Sequence, residues 1–347
     1  MEILNNVSKN RIKWIDALKG FAILTVVIGH VADGYLNSNI FESHNNLLYI
    51  IFNVIYSFHM PLFFIISGYI FITAYCKEGK YDINRIKKQV KNLLIIYLFF
   101  SILQWCTKML LSSFVNSEYS LKDLALILFK PMAPYWYLYN LIFYYILELI
   151  IEKKKISLKV IIVIALCLNV LSNFIKIYTI NMLLKFFIYF YLGILLNKVK
   201  FEEKIKHWPI IISLIIGVGL SIIFWSKEVT FNNIMIINTL IAISISAVLV
   251  YIFLKIKRLY DSNILNICGR YCLEIYVLHC FFTAGNRVIL FKLGLNNFYL
   301  NFIVNCVIST IFPILISIFV KKIGIYELFF KPMNFVNNLK NRKVEAK

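Results

Sequence analysis

Long apolar windows recur along this chain and exclude most soluble folds. A scan of the 347 residues for stretches of about 20 apolar residues finds ten candidate membrane spans. Their approximate bounds are 14–36, 47–75, 92–114, 134–151, 157–175, 181–197, 209–226, 233–254, 264–291 and 298–320. Hydrophobic residues make up 61% of the chain, more than one soluble core of this length can bury. We therefore predict an all-α, polytopic membrane protein in which residues 1–347 form one integral membrane domain, a bundle of about ten transmembrane helices.

The basic residues indicate how these spans are oriented. Of the 37 lysines and arginines, 28 lie before the first span, after the last one, or in and beside alternate loops. Such an asymmetry places the basic loops in the cytoplasm, so we predict that both termini are cytoplasmic. The net charge of +20 then follows from membrane topology, and we predict no nucleic acid partner.

The cysteines give no sign of a metal or disulfide framework. There are seven, scattered within or beside apolar segments, and none forms a CxxC pair. Because this pattern differs from that of zinc sites and disulfide-rich domains, we predict no metal.

The first predicted span carries four ionisable residues: Asp16, Lys19, His30 and Asp33. A helix turns by about 100° per residue, so all four share one face. A charge at the centre of a span costs roughly 2.5–3.5 kcal/mol, which implies that this face meets a polar partner or a water-filled cavity. Asp16 and Lys19 lie near the cytoplasmic boundary, and His30 lies about 16 Å further along the helix. Alternatively, Asp16 and Lys19 form an ion pair whose charged groups extend to the membrane surface and have no further role. His30 is then hydrogen-bonded to a neighbouring helix.

Two other spans carry polar groups at membrane depth. In the second, His59 is interpreted equally well as a site residue or as a bundle histidine with satisfied hydrogen bonds. Ser67 stands beside a glycine that allows close approach of another helix. In the ninth, Glu274 and His279 are about 140° apart around the helix, so we expect that they do not both meet one ligand. Glu274 is a candidate partner for Lys19 or for a lysine after the second span, unless it forms an ion pair that only fixes packing.

The fourth span begins with aromatic residues and ends near an acidic one. Tyr135, Trp136 and Tyr137 are expected to form an aromatic belt at the membrane surface. Glu148 is expected to lie close enough to the cytoplasmic boundary to be solvated.

A basic segment, DINRIKKQVKN, precedes the third span and contains Arg85, Lys87 and Lys91. Lys87 and Lys91 are spaced i,i+4 and share a helical face. Such a run sets topology or binds anionic headgroups, and it is equally suited to the phosphates of a cytoplasmic cofactor. The spacing leaves both interpretations open.

Three segments are the most distinctive: RIKWIDALKGFAILTVVIGH in the first span, FHMPLFFIISGYIF in the second and LEIYVLH in the ninth. Their order and spacing resemble acyltransferase family 3, the ten-helix bacterial membrane O-acyltransferases. The resemblance implies transfer of an acyl group, acetyl or else succinyl, from cytoplasmic acyl-CoA to a hydroxyl of a cell-surface glycan or lipid-linked sugar. It also implies a multi-pass location among the lipids of the cell (cytoplasmic) membrane. The DALKG form of the first segment is closer to the exopolysaccharide-modifying branch.

The resemblance assigns roles to residues. His30 matches the essential histidine, and Lys19 occupies a position usually held by arginine. Lys87 and Lys91 correspond to a pair that is usually two arginines, and lysine lacks the bidentate geometry of the guanidinium. The implied mechanism uses His30 as general base, or as a transient carrier of the acyl group. The predicted site residues are His30, Lys19 and Asp16 at the catalytic centre, Arg85, Lys87 and Lys91 at the acyl-CoA site, and Glu274, His59, His279 and Ser67 in support.

Two other classes of function fit the same polar face. A transporter or exporter of a polysaccharide or lipid-linked sugar would use His30 and Asp16 as a proton relay, although the two halves of the chain show no inverted repeat. A catalytically inactive relative would act as a membrane sensor or scaffold. The sequence leaves the oligomeric state open.

Overall fold

Helices account for nearly all regular structure in the described part of the chain. The computed structural model describes residues 12–38, 40–110, 120–204, 207–226 and 235–345. The helices are, in chain order, α1 (Lys13–Leu36), α2 (Asn45–Tyr75), α3 (Ile83–Leu110), α4 (Leu121–Ala125), α5 (Trp136–Lys153), α6 (Leu158–Leu171), α7 (Tyr178–Lys198), α8 (Phe201–Lys204), α9 (His207–Ser226), α10 (Met235–Lys255), α11 (Lys257–Tyr260), α12 (Asn263–Arg270), α13 (Cys272–Lys292), α14 (Phe298–Lys322), α15 (Tyr326–Phe330) and α16 (Pro332–Glu345). A small antiparallel hairpin, β1 (Cys76–Lys77) and β2 (Lys80–Tyr81), joins α2 to α3.

Each apolar window of the sequence corresponds to helical structure. Within the described ranges, seven helices are long and apolar enough to cross a membrane: α1, α2, α3, α7, α10, α13 and α14. Shorter apolar helices occur at α6 and α9, and α5 is an 18-residue helix that ends in charged residues. The prediction of an all-α, polytopic membrane protein is therefore confirmed.

The ninth window is not one continuous span. Tyr271 closes α12 and opens α13 with φ −99° and ψ 20°, outside the helical region. The eight-residue α12 packs on the start of α1, and Gly269 lies so close that a Cβ there would be 1.8 Å from the Asp16 carbonyl oxygen. The prediction of a single helix over 264–291 is wrong, because the chain bends at Tyr271 to place α12 against α1.

Helix α1 lies at the centre of the bundle. Within its apolar window 72% of the residues are buried, against 28% for α14, whose remaining surface is free to face lipid. Helix α2 runs antiparallel to α1, since Trp14 contacts Tyr69 near one end of the pair and His30 contacts Tyr56 further along. We call the end at which α1 begins the basic end, because the predicted cytoplasmic loops meet there.

Helices α2 and α7 also approach each other closely, through two glycines. A Cβ on Gly68 would lie 1.9 Å from the Phe190 carbonyl oxygen, and one on Gly193 would lie 2.0 Å from the Ile65 carbonyl oxygen. Neither position has room for a side chain. The close approach expected from the glycine beside Ser67 is confirmed.

Replacing Gly193 with alanine is expected to destabilise the bundle by about 1–3 kcal/mol, because α2 and α7 must separate. The measurement is the thermal unfolding midpoint of the purified protein in detergent. Gly285→Ala is the matched control, since a Cβ at Gly285 meets nothing within 4 Å. Equal midpoints for the two variants would contradict this packing.

The aromatic residues at the start of α5 do not form the expected belt. Tyr135 is 0% and Tyr137 8% exposed. The Tyr135 hydroxyl donates to the Val277 carbonyl at 2.8 Å, and that of Tyr137 lies 2.5 Å from Ser67 Oγ. The belt prediction is wrong for both tyrosines, because their hydroxyls find partners on neighbouring helices inside the bundle.

Glu148 is also placed differently from the expectation. Its side chain is 2% exposed, and its two carboxylate oxygens accept hydrogen bonds from the hydroxyls of Tyr81 at 2.7 Å and Tyr191 at 2.5 Å. The prediction of a solvated Glu148 is wrong, because β2 and α7 cover it.

Candidate functional site

The polar face of α1 carries an ion pair near the basic end. Lys19 Nζ lies 2.8 Å from Asp16 Oδ1, one turn apart on the helix. Asp16 is buried, with 8% of its surface exposed. The Asp16–Lys19 pair considered in the sequence analysis is present, and it keeps the two charges together where α12 crosses α1.

Further along α1, His30 contacts one histidine directly and lies near a second. Its ring centroid lies 5.1 Å from that of His279 on α13 and 6.2 Å from that of Tyr56 on α2. The Tyr56 ring in turn contacts His59 at 4.7 Å. We call His30, His59 and His279 the histidine cluster. These three histidines are far apart in the sequence, and the packing of α1, α2 and α13 brings them close together.

Backbone hydrogen bonds fix the orientation of two rings in the histidine cluster. His279 Nδ1 lies 2.8 Å from the Tyr276 carbonyl oxygen, and His59 Nδ1 lies 2.7 Å from that of Ile55. A carbonyl only accepts, so Nδ1 carries the hydrogen on each ring, and a neutral ring presents an unprotonated Nε2. His279 is 0% exposed, and its Nε2 has no hydrogen-bond partner in the part of the chain that the structure describes.

His30 differs from these two rings. It is partly accessible although it lies deep along α1, and no hydrogen bond to its side chain is present among the described residues. Its ring nitrogens are therefore available to an incoming molecule, while the lone pair of His279 Nε2 lies nearby. An imidazole with a free ring nitrogen is the side chain most often used to accept a proton.

Glu274 has polar partners rather than the expected cation. Its carboxylate accepts hydrogen bonds from the Tyr326 hydroxyl at 2.7 Å and from Ser317 Oγ at 3.4 Å. No ion pair with Lys19 is formed within the described ranges. Lys321 Nζ lies 4.4 Å from the Tyr271 ring centroid and 4.5 Å from that of Tyr326. Sequence reasoning missed this group of rings and cations, because no motif marks the contact between α13 and α15.

The basic residues at the start of α3 are exposed. Arg85, Lys87 and Lys91 all face outward, and the Arg85 guanidinium lies 5.7 Å from the Tyr75 ring centroid. Helix α16 lies beside them, since the Met333 backbone N–H donates to the Asn92 side chain at 2.8 Å. These cations thus form a third group at the basic end, separate from the Asp16–Lys19 pair and from the histidine cluster.

Contacts through Tyr137 and Tyr276 connect Ser67 to the histidine cluster. Its Oγ donates to the Phe63 carbonyl at 2.8 Å and contacts the Tyr137 hydroxyl. The Tyr137 ring lies 5.4 Å from that of Tyr276, which lies 6.2 Å from His279. Two tyrosines, Tyr137 and Tyr276, therefore stand between Ser67 and His279, and the predicted supporting role of Ser67 stays a prediction.

A shallow cleft opens at the basic end between α1, α2, α7, α8 and α10. Its wall includes Trp14, Leu18 and Ile66, and its polar group is the hydrogen-bonded pair of Tyr69 and Glu202. Neither member of that pair is as well suited to proton transfer in acyl chemistry as a free imidazole. The histidine cluster is the better candidate for a reactive centre.

Fold and site together define a multi-pass membrane protein with an enclosed histidine centre and basic groups at one end. The chain belongs to acyltransferase family 3: the family model, described as an acyltransferase domain, matches residues 12–321. No curated protein and no solved structure is significantly similar to it. The resemblance drawn from the three sequence motifs is confirmed, and family membership favours acyl transfer over transport. Within the described residues, no group of three or more histidine, cysteine or acidic side chains is placed to hold a metal ion.

Proposed function

We propose that this acyltransferase moves an acetyl group from acyl-CoA at the basic end to a sugar hydroxyl that approaches from the opposite end. The basic end faces the cytoplasm, where acyl-CoA is present. The acceptor is a cell-surface glycan or its lipid-linked precursor, and the protein lies in the cell membrane. The observation that carries the proposal is the unpaired, partly accessible His30 ring inside a family 3 bundle.

The histidine supplies the proton transfer that ester formation needs. His30 takes the proton of the acceptor hydroxyl as the hydroxyl oxygen attacks the thioester carbonyl carbon. The carbon–sulfur bond then breaks, and the imidazolium returns the proton to the CoA sulfur. An ester and a free thiol leave, and the ring is neutral again. The surrounding apolar helices exclude bulk water, which protects the thioester from hydrolysis.

A variant of this route uses the same ring as a nucleophile. The unprotonated His30 nitrogen attacks the thioester carbonyl carbon, the carbon–sulfur bond breaks, and the CoA thiolate leaves with the proton of the other ring nitrogen. The acceptor hydroxyl then attacks the acyl carbon, the carbon–nitrogen bond breaks, and the hydroxyl proton passes to the ring, which is neutral again. Both routes require one unprotonated nitrogen on His30.

The donor is held by charges at the basic end. Arg85, Lys87 and Lys91 are exposed and oriented toward solvent, where they bind the CoA phosphates. Lys19, paired with Asp16, stands between this surface and His30, about 16 Å along α1 from the ring. The flexible pantetheine arm of CoA bridges that span.

Replacing both Lys87 and Lys91 with alanine is expected to raise KM for acetyl-CoA at least about tenfold, since each charged hydrogen bond contributes roughly 1.5–3 kcal/mol. The rate constant kcat changes little, because the phosphates lie far from the reacting carbon. The measurement is steady-state kinetics of CoA release by the purified protein. The matched control removes Lys154 and Lys159, two exposed lysines at the same end. An unchanged KM in the double variant would mean that the pair only sets topology.

A further inference from the structure

Asp33, one turn beyond His30 on the polar face of α1, has no role in the reaction described above. Its side chain is partly accessible, and it accepts a hydrogen bond from Asn37 Nδ2 at 3.0 Å. It lies within electrostatic range of Arg287 and of the Tyr56 hydroxyl. No ion pair joins Asp33 to Arg287 in the described part of the chain, so the carboxylate keeps capacity to accept further hydrogen bonds.

Arg287 on α13 is a buried cation with one unused donor. Its side chain is 6% exposed, and its Nη1 donates to the Gly34 carbonyl oxygen. Its Nε is buried and has no partner among the described residues. Leaving buried charged donors unpaired is costly, so this arrangement indicates a missing ligand. Gly34 makes the placement possible, because a Cβ there would lie 2.4 Å from Nη1.

Tyr56 completes the surroundings of Asp33. Its ring stacks on Phe52 with 3.9 Å between centroids and meets His30 edge-on. A partly accessible aromatic ring with a hydroxyl, next to a carboxylate, supplies both apolar contact and hydrogen bonding. These groups lie on the side of His30 away from the basic end, since Asp33 and Gly34 follow His30 along α1.

We propose that Asp33, Arg287 and Tyr56 form the subsite that binds the acceptor as a neutral sugar ring, an assignment that rests on the proposed function. Asp33 accepts a hydrogen bond from one sugar hydroxyl, and Arg287 donates to another, so the reacting hydroxyl is directed to His30. The opposite charges select the ligand class. An anion would be repelled by Asp33 and a cation by Arg287, whereas sugar hydroxyls both donate and accept.

The test uses the full chain in lipid nanodiscs, radiolabelled acetyl-CoA and a titrated β-1,6-linked N-acetylglucosamine hexamer as acceptor probe. Asp33→Asn and Arg287→Lys are expected to raise KM for the hexamer at least about tenfold, because the first makes the hydrogen-bond acceptor neutral and the second loses the fixed donor geometry of the guanidinium. KM for acetyl-CoA stays at its wild-type value. Gly34→Ala, which displaces the guanidinium without altering its charge, has the same effect. Tyr49→Phe, a change on the exposed part of α2, leaves both constants unchanged.

The outcomes separate this subsite from the proposed function. Wild-type protein that transfers no label to the hexamer or to glycan in native membranes contradicts the proposed function before any variant is considered. Wild-type transfer together with an unchanged hexamer KM in Asp33→Asn and Gly34→Ala overturns the subsite alone. An equal rise in both KM values also overturns it, since a subsite for the acceptor does not bind the donor. Size-exclusion profiles matching the wild type show that the variants are folded.

Discussion

Replacing His30 with alanine is expected to lower the rate constant of acyl transfer by about 10²–10⁴-fold, the usual contribution of a positioned general base. Neither of the other two histidines of the histidine cluster is placed to take over. His279 Nδ1 is engaged by backbone carbonyls and its Nε2 is fully buried, while His59 lies behind Tyr56. KM for acetyl-CoA should change little, because the site proposed for the donor phosphates lies at the other end of α1.

The control for this loss is His207→Ala, which removes an exposed histidine at the start of α9 and should retain wild-type transfer. Acid-quenched protein examined by mass spectrometry distinguishes the two routes through His30. An acyl adduct that accumulates when the acceptor is omitted identifies the ring as a carrier, and unmodified protein identifies it as a base. Full activity of a folded His30→Ala protein would contradict both.

Replacing Lys19 with methionine is expected to destabilise the protein by about 3–5 kcal/mol, the cost of breaking a buried ion pair from one side. Asp16 loses the ammonium group at 2.8 Å while it remains 8% exposed, where water cannot solvate the carboxylate well. The measurement is the thermal unfolding midpoint in detergent, with acetyl-CoA absent so that ligand binding does not contribute.

The matched control combines Asp16→Asn with Lys19→Met. Removing both charges should recover most of the lost stability, because no uncompensated carboxylate is left behind. Lys19→Arg should keep the stability and test whether the arginine usual in the family binds the donor more tightly. If Lys19→Met alone unfolds at the wild-type midpoint, the pair is not a structural element of the bundle.

The sequence predicts those features of the structure that depend on a single helix. The shared face of Asp16, Lys19, His30 and Asp33 follows from helical periodicity, and the ion pair follows from i,i+3 spacing. The helical windows follow from apolar length, and α1, α2 and α14 agree with their predicted spans. Helix α3 begins at Ile83, nine residues before the predicted start at 92, because the basic segment is itself part of the helix.

The parts that sequence does not predict arise from contacts between helices that are far apart in the chain. The histidine cluster joins α1, α2 and α13, and nothing local to His279 points to His30. Glu148 sits at the end of an apolar window, where solvation is the usual outcome, yet Tyr81 and Tyr191 cover it from two other elements. The bend at Tyr271 likewise has no proline to signal it, and it depends on the packing of α12 against α1.

The most direct measurement follows radiolabelled acetyl-CoA into glycan in sealed membrane vesicles of known orientation. Inside-out vesicles, which present the basic end to the added donor, should label the glycan with the wild-type chain and not with His30→Ala inserted at equal level. Right-side-out vesicles should incorporate no label, because acetyl-CoA cannot reach the basic end. Wild-type labelling by His30→Ala would contradict the role of the imidazole in acyl transfer. Equal labelling in both vesicle orientations would contradict a cytoplasmic donor and an acceptor on the other side of the membrane.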